Sequence, residues 1–332
     1  MMKKIILLSI CINMFAHMNH ASTIIMDNID VTKLTDEQIY EIAEASKNVL
    51  APTLDNMPEA VSDVKNAAQY TPVVFMHGMG DSGSNPGMKS LCASAPSKYP
   101  GMYSVCANVA NGAASIFTEL GPQVDEFAKL VQGDPKLANG FNVVGLSQGN
   151  LVVRGYIEAY NDPPVKKFIN ICGPNFGIGT CPDNFLYKLI CPLWKLGPYT
   201  AKLAFSDYWK DATDEKTYLS KSRWLAYLDN DKTSTNSSMY KKNFASLEKL
   251  VLVQALNDTI VVPKASELFG FWEWGQTKSI VPMEETEGYK KDFIGLKTLN
   301  EGKKIDTYHF IGDHLRFSNE FWKGKILPYL GN

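Results

Sequence analysis

Phe141-Asn142-Val143-Val144-Gly145-Leu146-Ser147-Gln148-Gly149-Asn150 is the stretch on which the fold turns. A short apolar run ends in Gly-x-Ser-x-Gly and passes directly into a helical pattern, Leu151 to Tyr160. Strand, sharp turn and helix in that order hold a serine on a strained turn, with its hydroxyl above the edge of a sheet. Gly145 and Gly149 remove side chains that would block the close strand-to-helix contact. The backbone N–H of Gln148 then lies at the positive start of the helix, suited to an oxyanion. Because the five-residue motif also arises by chance, the rest of the chain has to supply the other parts.

Upstream, Pro72 to Met76 reads as a buried strand leading into His77-Gly78-Met79-Gly80-Asp81-Ser82-Gly83-Ser84-Asn85-Pro86. A glycine-rich turn after an early strand lets backbone N–H groups face a reacting carbonyl, so Met79 is the candidate second oxyanion donor beside Gln148. The plainer alternative is a glycine turn without a role. A phosphate loop is disfavoured because no Gly-Lys-Ser/Thr follows. Met102 to Val109 reads as the next strand, and Val124, Phe127, Ala128 and Val131 mark one face of a helix. Val165 to Cys172 is a further strand. This alternation is that of an α/β fold with a mostly parallel central sheet flanked by helices.

Downstream, Leu250 to Leu256 resumes the sheet and Asn257-Asp258 follows at once. A carboxylate at the C-terminal end of a strand is well placed to orient an imidazole from the next loop. The last strand, Ile305 to Ile311, leads to Gly312-Asp313-His314. Once a leader is removed, three histidines remain: His77, His309 and His314. His77 lies in the early glycine turn, and His309 lies inside the strand, where a hydrogen-bonded structural role is expected. His314 lies just past the strand, free to reach Ser147. Ser147, Asp258 and His314 follow the serine–acid–histidine order of α/β-hydrolases. Asp313 is a rival acid, but a sequence neighbour has little room to fold back on the imidazole. The pattern from Asn319 to Leu330 predicts a closing amphipathic helix.

Composition bounds the remaining choices. The chain has 332 residues and a formal charge of −2, without the basic footprint of a nucleic-acid binder. No apolar run reaches the roughly 20 residues of a membrane span. Lys3 and Lys4 precede an apolar run from Ile5 to Phe15, with small residues at Ala21 and Ser22, so residues 1–22 read as a signal peptide. The secretory route permits disulfides. Cys11 leaves with the signal, and five cysteines remain. Cys181 and Cys191 close a short loop and are the first candidate pair, Cys92 and Cys106 the second, with Cys172 a buried free thiol. The sequons at Asn236 and Asn257 fit glycosylation in that compartment. Residues 23–70 form a helical extension or pro-segment opened by the capping box Thr35-Asp36-Glu37-Gln38. Scattered histidines suggest no metal site, and no organic cofactor is implied.

Residues 173–246 break the α/β rhythm with aromatics, prolines and glycines. An insertion between sheet strands lands near the catalytic edge, so this stretch reads as a mainly helical cap on a catalytic domain made of residues 71–172 and 247–332. Caps of this kind can build an apolar trough for an acyl chain.

His77 to Ser82, Gly145 to Gly149, Cys181-Pro182, Tyr208-Trp209, Leu256 to Val261, Phe269-Gly270-Phe271 and Gly312 to Leu315 together resemble the lysosomal palmitoyl-protein thioesterases. The similarity extends from about Thr71 to Gly331. It implies an α/β-hydrolase fold with an inserted cap and a substrate acyl chain thioester-linked to cysteine in S-acylated proteins or peptides. It further implies Ser147 as nucleophile, Asp258 and His314 as acid and base, and the Met79 and Gln148 amides as oxyanion donors. By the same resemblance Cys181–Cys191 is a cap disulfide, Asn257 is a glycosylated position, and the destination is the lysosome or the cell exterior. The chain departs from the family at Gly83 and Ser84, where two cysteines are common, at Asn150, where a second glycine is common, and in Cys172 to Gly177. Two other readings share the scaffold: a lipase or carboxylesterase for oxygen esters, and a non-catalytic lipid-binding protein.

Overall fold

The structure is a computed structural model describing residues 70–182 and 198–331. The expected signal peptide, the extension up to residue 69 and Cys191 lie outside the described residues.

Apolar β-branched runs form the sheet. β1 (Val73–Met76), β2 (Ser104–Cys106), β3 (Phe141–Leu146), β4 (Val165–Ile171), β5 (Lys249–Ala255) and β8 (Ile305–Phe310) pair in the order β2-β1-β3-β4-β5-β8. Every pairing is parallel. A parallel sheet requires crossovers that cover both its faces, so its central strands are continuous apolar runs instead of alternating ones. Successive side chains still point to opposite faces. Val74, Met76, Val143, Phe168, Leu250 and Leu252 join one core, while Val73, Phe75, Val144, Leu146, Ile169, Val251 and Val253 join the other.

The longer helices are α1 (Pro86–Lys98), α3 (Leu120–Gln132) and α4 (Gly149–Ala159), with the short α2 (Ala114–Phe117) before α3. Asn85 caps α1 by accepting from the Gly87 N–H, and Pro86 supplies a first-turn residue that needs no donor. Val124, Phe127, Ala128 and Val131 of α3 are buried as the periodicity predicts. Strand β2 is shorter than expected. It is an edge strand paired to β1 alone, and Cys106 on it is disulfide-bonded to Cys92 on α1, with Cα atoms 5.8 Å apart.

Between β4 and β5 the described chain forms short helices: α5 (Ala204–Asp207), α6 (Glu215–Lys221), α7 (Leu225–Leu228) and α8 (Ser237–Ala245). The β5–β8 connection packs against them. It carries the two-stranded β6 (Phe271–Trp272) and β7 (Ile280–Val281), and Trp274 lies 5.6 Å from the Tyr218 ring.

Two expectations change here. The C-terminal segment is not one α-helix: Asn319–Phe321 is α-helical, Trp322–Ile326 is a π-turn and Leu327–Gly331 is 3-10. Pro328 has no N–H to donate to a helical ladder, while Trp322, Ile326, Leu327 and Leu330 keep their buried face. His309 is exposed on the edge strand β8, not held as a structural core histidine.

Candidate active site

Strand β3 delivers Ser147 to the top of the sheet. Ser147 has φ 51°, a left-handed conformation strained for a residue with a Cβ. Its N–H donates to the Ile171 carbonyl at 3.0 Å, tying the turn to the end of β4. A Cβ on Gly145 would lie 2.3 Å from the Asn150 Oδ1, and one on Gly149 would lie 2.3 Å from the His77 carbonyl. The elbow therefore has no space for larger residues at either glycine. Asn150 fastens it, with Nδ2 donating to the Ser147 carbonyl at 3.0 Å and to the Ile171 carbonyl at 2.9 Å.

Asp258 and His314 come from the ends of β5 and β8, neighbours in the sheet. His314 Nδ1 lies 2.6 Å from Asp258 Oδ2, and its Nε2 lies 2.8 Å from Ser147 Oγ. An ionised Asp258 can only accept, so Nδ1 carries the proton and Nε2 is left to accept from the serine hydroxyl. The other Asp258 oxygen accepts from the Ile260 N–H at 2.7 Å and the Val261 N–H at 2.8 Å. Burial alone would raise this carboxyl. The His314 ring and these donors outweigh burial and hold it below the usual carboxylate range. Asp313 is engaged elsewhere: it accepts from the Thr259 N–H at 2.9 Å and from the Thr259 hydroxyl.

Met79 and Gln148 leave β1 and β3 on the same side, since Met76 pairs with Gly145 in parallel register. Gln148 is buried, and its Nε2 donates to the Ser115 carbonyl at 2.8 Å. Ser115 Oγ in turn accepts from the Gly80 N–H at 2.7 Å and donates to the Gly112 carbonyl. One residue thus holds both the glycine turn and the elbow. From α5's C-terminus the Tyr208 hydroxyl donates to Gln148 Oε1 at 3.1 Å and reaches Met79 Sδ at 3.9 Å. His77 is buried beside the turn, with Nδ1 at 2.8 Å from the Gly78 carbonyl, and burial lowers its pKa.

Cys172 is the buried free thiol expected of it. Its sulfur, an Asp258 oxygen and a His314 nitrogen lie within 4.8 Å of one another, a convergence the scattered histidines did not suggest. Burial pushes the thiol well up and both imidazole nitrogens are engaged, so the trio does not present a deprotonated metal-ligand set. Cys181 is disulfide-bonded, to a partner outside the described residues. Asn236 and Asn257 are exposed.

Two cavities border this region. One of about 440 Å³ is lined by Asp258, Val261, Lys264, Trp272 and Ile280, among others. Trp272 also lines a second, of about 520 Å³, with Phe176, Phe271, Trp274, Phe293 and Ile294. Neither is lined by Ser147.

A parallel sheet with a left-handed serine elbow after its third strand, and an acid and a histidine from later strand ends, defines an α/β-hydrolase. The chain belongs to the family described as palmitoyl protein thioesterase, which it matches over residues 72–314. It is 35% identical over 273 residues to palmitoyl-protein thioesterase 3 of Dictyostelium discoideum, an alignment covering 79% of this chain and 92% of that one. It is 29% identical over 241 residues to lysosomal thioesterase PPT2 of Homo sapiens, covering 70% and 78%. Among solved structures it is similar to an esterase of Pyrococcus furiosus, with TM-score 0.44, 15% identity and coverage of 80% and 81%. The family makes this chain a thioesterase, and so a hydrolase.

Proposed function

We propose that this hydrolase removes long-chain fatty acyl groups, palmitoyl above all, from cysteine in S-acylated proteins or peptides. The unbroken relay from Asp258 through His314 to Ser147 carries the reading of the chemistry, and kinship with palmitoyl-protein thioesterases carries the substrate class.

In this mechanism Ser147 Oγ attacks the thioester carbonyl while His314 Nε2 takes its proton, and Asp258 holds the ring and stabilises the imidazolium. The carbonyl oxygen, now an anion, accepts from the Met79 and Gln148 N–H groups, each contributing on the order of 2.7–4 kcal/mol in comparable sites. When the tetrahedral intermediate collapses, the carbon–sulfur bond breaks and the imidazolium returns the proton to the cysteine thiolate. Water then attacks the acyl-enzyme, giving its proton to His314, which passes it to Ser147 Oγ as the fatty acid leaves. No cofactor enters the balance.

Residues 173–246 act in this reading as a cap over the acyl chain, on a catalytic domain formed by residues 71–172 and 247–332. Residues 1–22 direct the chain into the secretory pathway, toward the lysosome or the cell exterior. Cys181 pairs with Cys191, and Asn236 and Asn257 carry glycans. The Cys92–Cys106 bond and the exposure of both asparagines support that route.

Hydrolysis of matched palmitoyl thioester and oxygen ester tests the substrate class. Faster thioester turnover supports the proposal. Preference for the oxygen ester would make the protein a lipase or carboxylesterase, and bound palmitate without any turnover would make it a lipid binder.

A further inference from the structure

Behind the acid of the relay lies a second carboxyl that the mechanism above does not use. Glu267 sits in the 3-10 turn Lys264–Leu268 and is 0% exposed. Its Oε2 accepts from the Ala255 N–H at 2.8 Å, at the end of β5 and three residues before Asp258. Its carboxyl also faces the Asp258 carboxyl and the Cys172 thiol. Yet Oε1 is buried and meets no N–H or O–H donor among the described residues.

Two adjacent buried carboxyls do not both ionise without a cation between them. The groups facing Glu267 are the Asp258 carboxyl and the Cys172 thiol, with the His314 ring beyond Asp258. Asp258 accepts three N–H donors, and Glu267 accepts one from the backbone. The negative charge therefore belongs on Asp258 and the proton on Glu267. An oxygen with no donor nearby, beside a carboxylate, is accounted for when that oxygen is itself an O–H.

We propose that Glu267 is a positioning residue, a neutral carboxylic acid that donates a hydrogen bond to Asp258 and thereby fixes the carboxylate that orients His314. Burial first, and then the Asp258 charge, push the Glu267 carboxyl well above the ordinary carboxylate range. The Asn175 side chain donates to the Glu267 carbonyl at 2.9 Å and holds the turn that presents it. The role rests on the catalytic reading of Ser147, Asp258 and His314 given above.

Glu267→Gln and Glu267→Leu separate the alternatives. An amide can still accept from Ala255 and donate to Asp258, so Glu267→Gln keeps turnover within about threefold and leaves the acid limb of the kcat/KM pH profile in place. Glu267→Leu loses the donor and drops kcat by about 10- to 100-fold, the size of one charge-assisted hydrogen bond. Its acid limb moves to higher pH, because a less solvated Asp258 favours the imidazolium. Infrared difference spectra of the intact protein at neutral pH, wild type minus Glu267→Gln, show a protonated carboxylic acid band. A missing band, with the acid limb of Glu267→Gln moved to lower pH by about half a unit or more, would mean an ionised Glu267 and overturn the proposal. The infrared band does not depend on turnover or on the folding of Glu267→Leu. A wild-type protein that shows the band but hydrolyses no thioester would sink the thioesterase reading and leave the protonation of Glu267 standing.

Discussion

Arg154 Nη1 donates to Asp229 Oδ1 at 2.8 Å, joining the helix that begins at the serine elbow to the segment inserted between β4 and β5. Both side chains are almost fully buried. The same guanidinium donates to Glu158 at 2.7 Å and to the carbonyls of Asn175 and Leu228. Three of these four acceptors, Asp229 and the Asn175 and Leu228 carbonyls, lie in the insertion and fix where it sits on α4.

That arrangement sets the response to losing the arginine. Burial already pushes Glu158 and Asp229 above the usual carboxylate range, against the pull of Arg154. Arg154→Met strands Glu158 and leaves Asp229 with Lys210 alone, at 3.7 Å, and removing one partner of a buried pair typically destabilises by about 3–5 kcal/mol. Urea unfolding of the variant is expected to show a loss of that size, partly recovered in Arg154→Met with Asp229→Asn. A loss within the range of surface substitutions, about 0.5 kcal/mol, would contradict the tether.

A second link between insertion and core titrates. Asp207 on α5 accepts from the Leu120 N–H, at the start of α3, at 2.7 Å. Burial pushes its carboxyl up to about 6, against that donor and Arg223. A folded pKa above the unfolded one means the folded state binds more protons in between. The stability this group contributes is complete below the unfolded value near 3.8 and is lost as pH rises through about 6. Thermal unfolding from pH 4 to pH 7 is expected to show wild type losing up to about 3 kcal/mol relative to Asp207→Asn, which keeps an acceptor for Leu120. Parallel curves for the two proteins would contradict it.

The two acids near His314 are expected to differ sharply. Asp258→Asn keeps the shape but removes the carboxylate that selects the imidazole tautomer, and kcat is expected to fall by about 10⁴, as in comparable triads. Asp313→Asn alters contacts to Thr259 and to the His314 backbone N–H, none of them to the imidazole, and is expected to stay within about threefold of wild type. Steady-state hydrolysis by both variants decides between them, and a larger loss at Asp313 would reverse the assignment.

How far the sequence could be read depends on the range over which each feature is determined. Ser147, Asp258 and His314 stand at strand ends followed by turns, so local pattern and chain order point to them. Buried strands such as β3 and β5 are legible for the same reason. Ser115 is an ordinary serine in sequence, and its part in holding Gly80 and Gln148 exists only after two distant loops meet. Glu267 reads as one more charged residue in a loop until the end of β5 closes over it. Gly145 and Gly149 are explained by neighbours that sequence does not display, Asn150 and His77. The C-terminal pattern preserved its buried face while losing its α-helical backbone after Phe321, and His309 is exposed on the edge strand β8.

Acid-quenched mass mapping of the protein during its first turnovers with a palmitoyl thioester tests the central assignment most directly. The account predicts an acyl adduct on the peptide carrying Ser147, formed in a burst and absent from Ser147→Ala. An adduct on Cys172, whose sulfur lies in the same cluster as His314 and Asp258, or an unchanged adduct in Ser147→Ala, would contradict it.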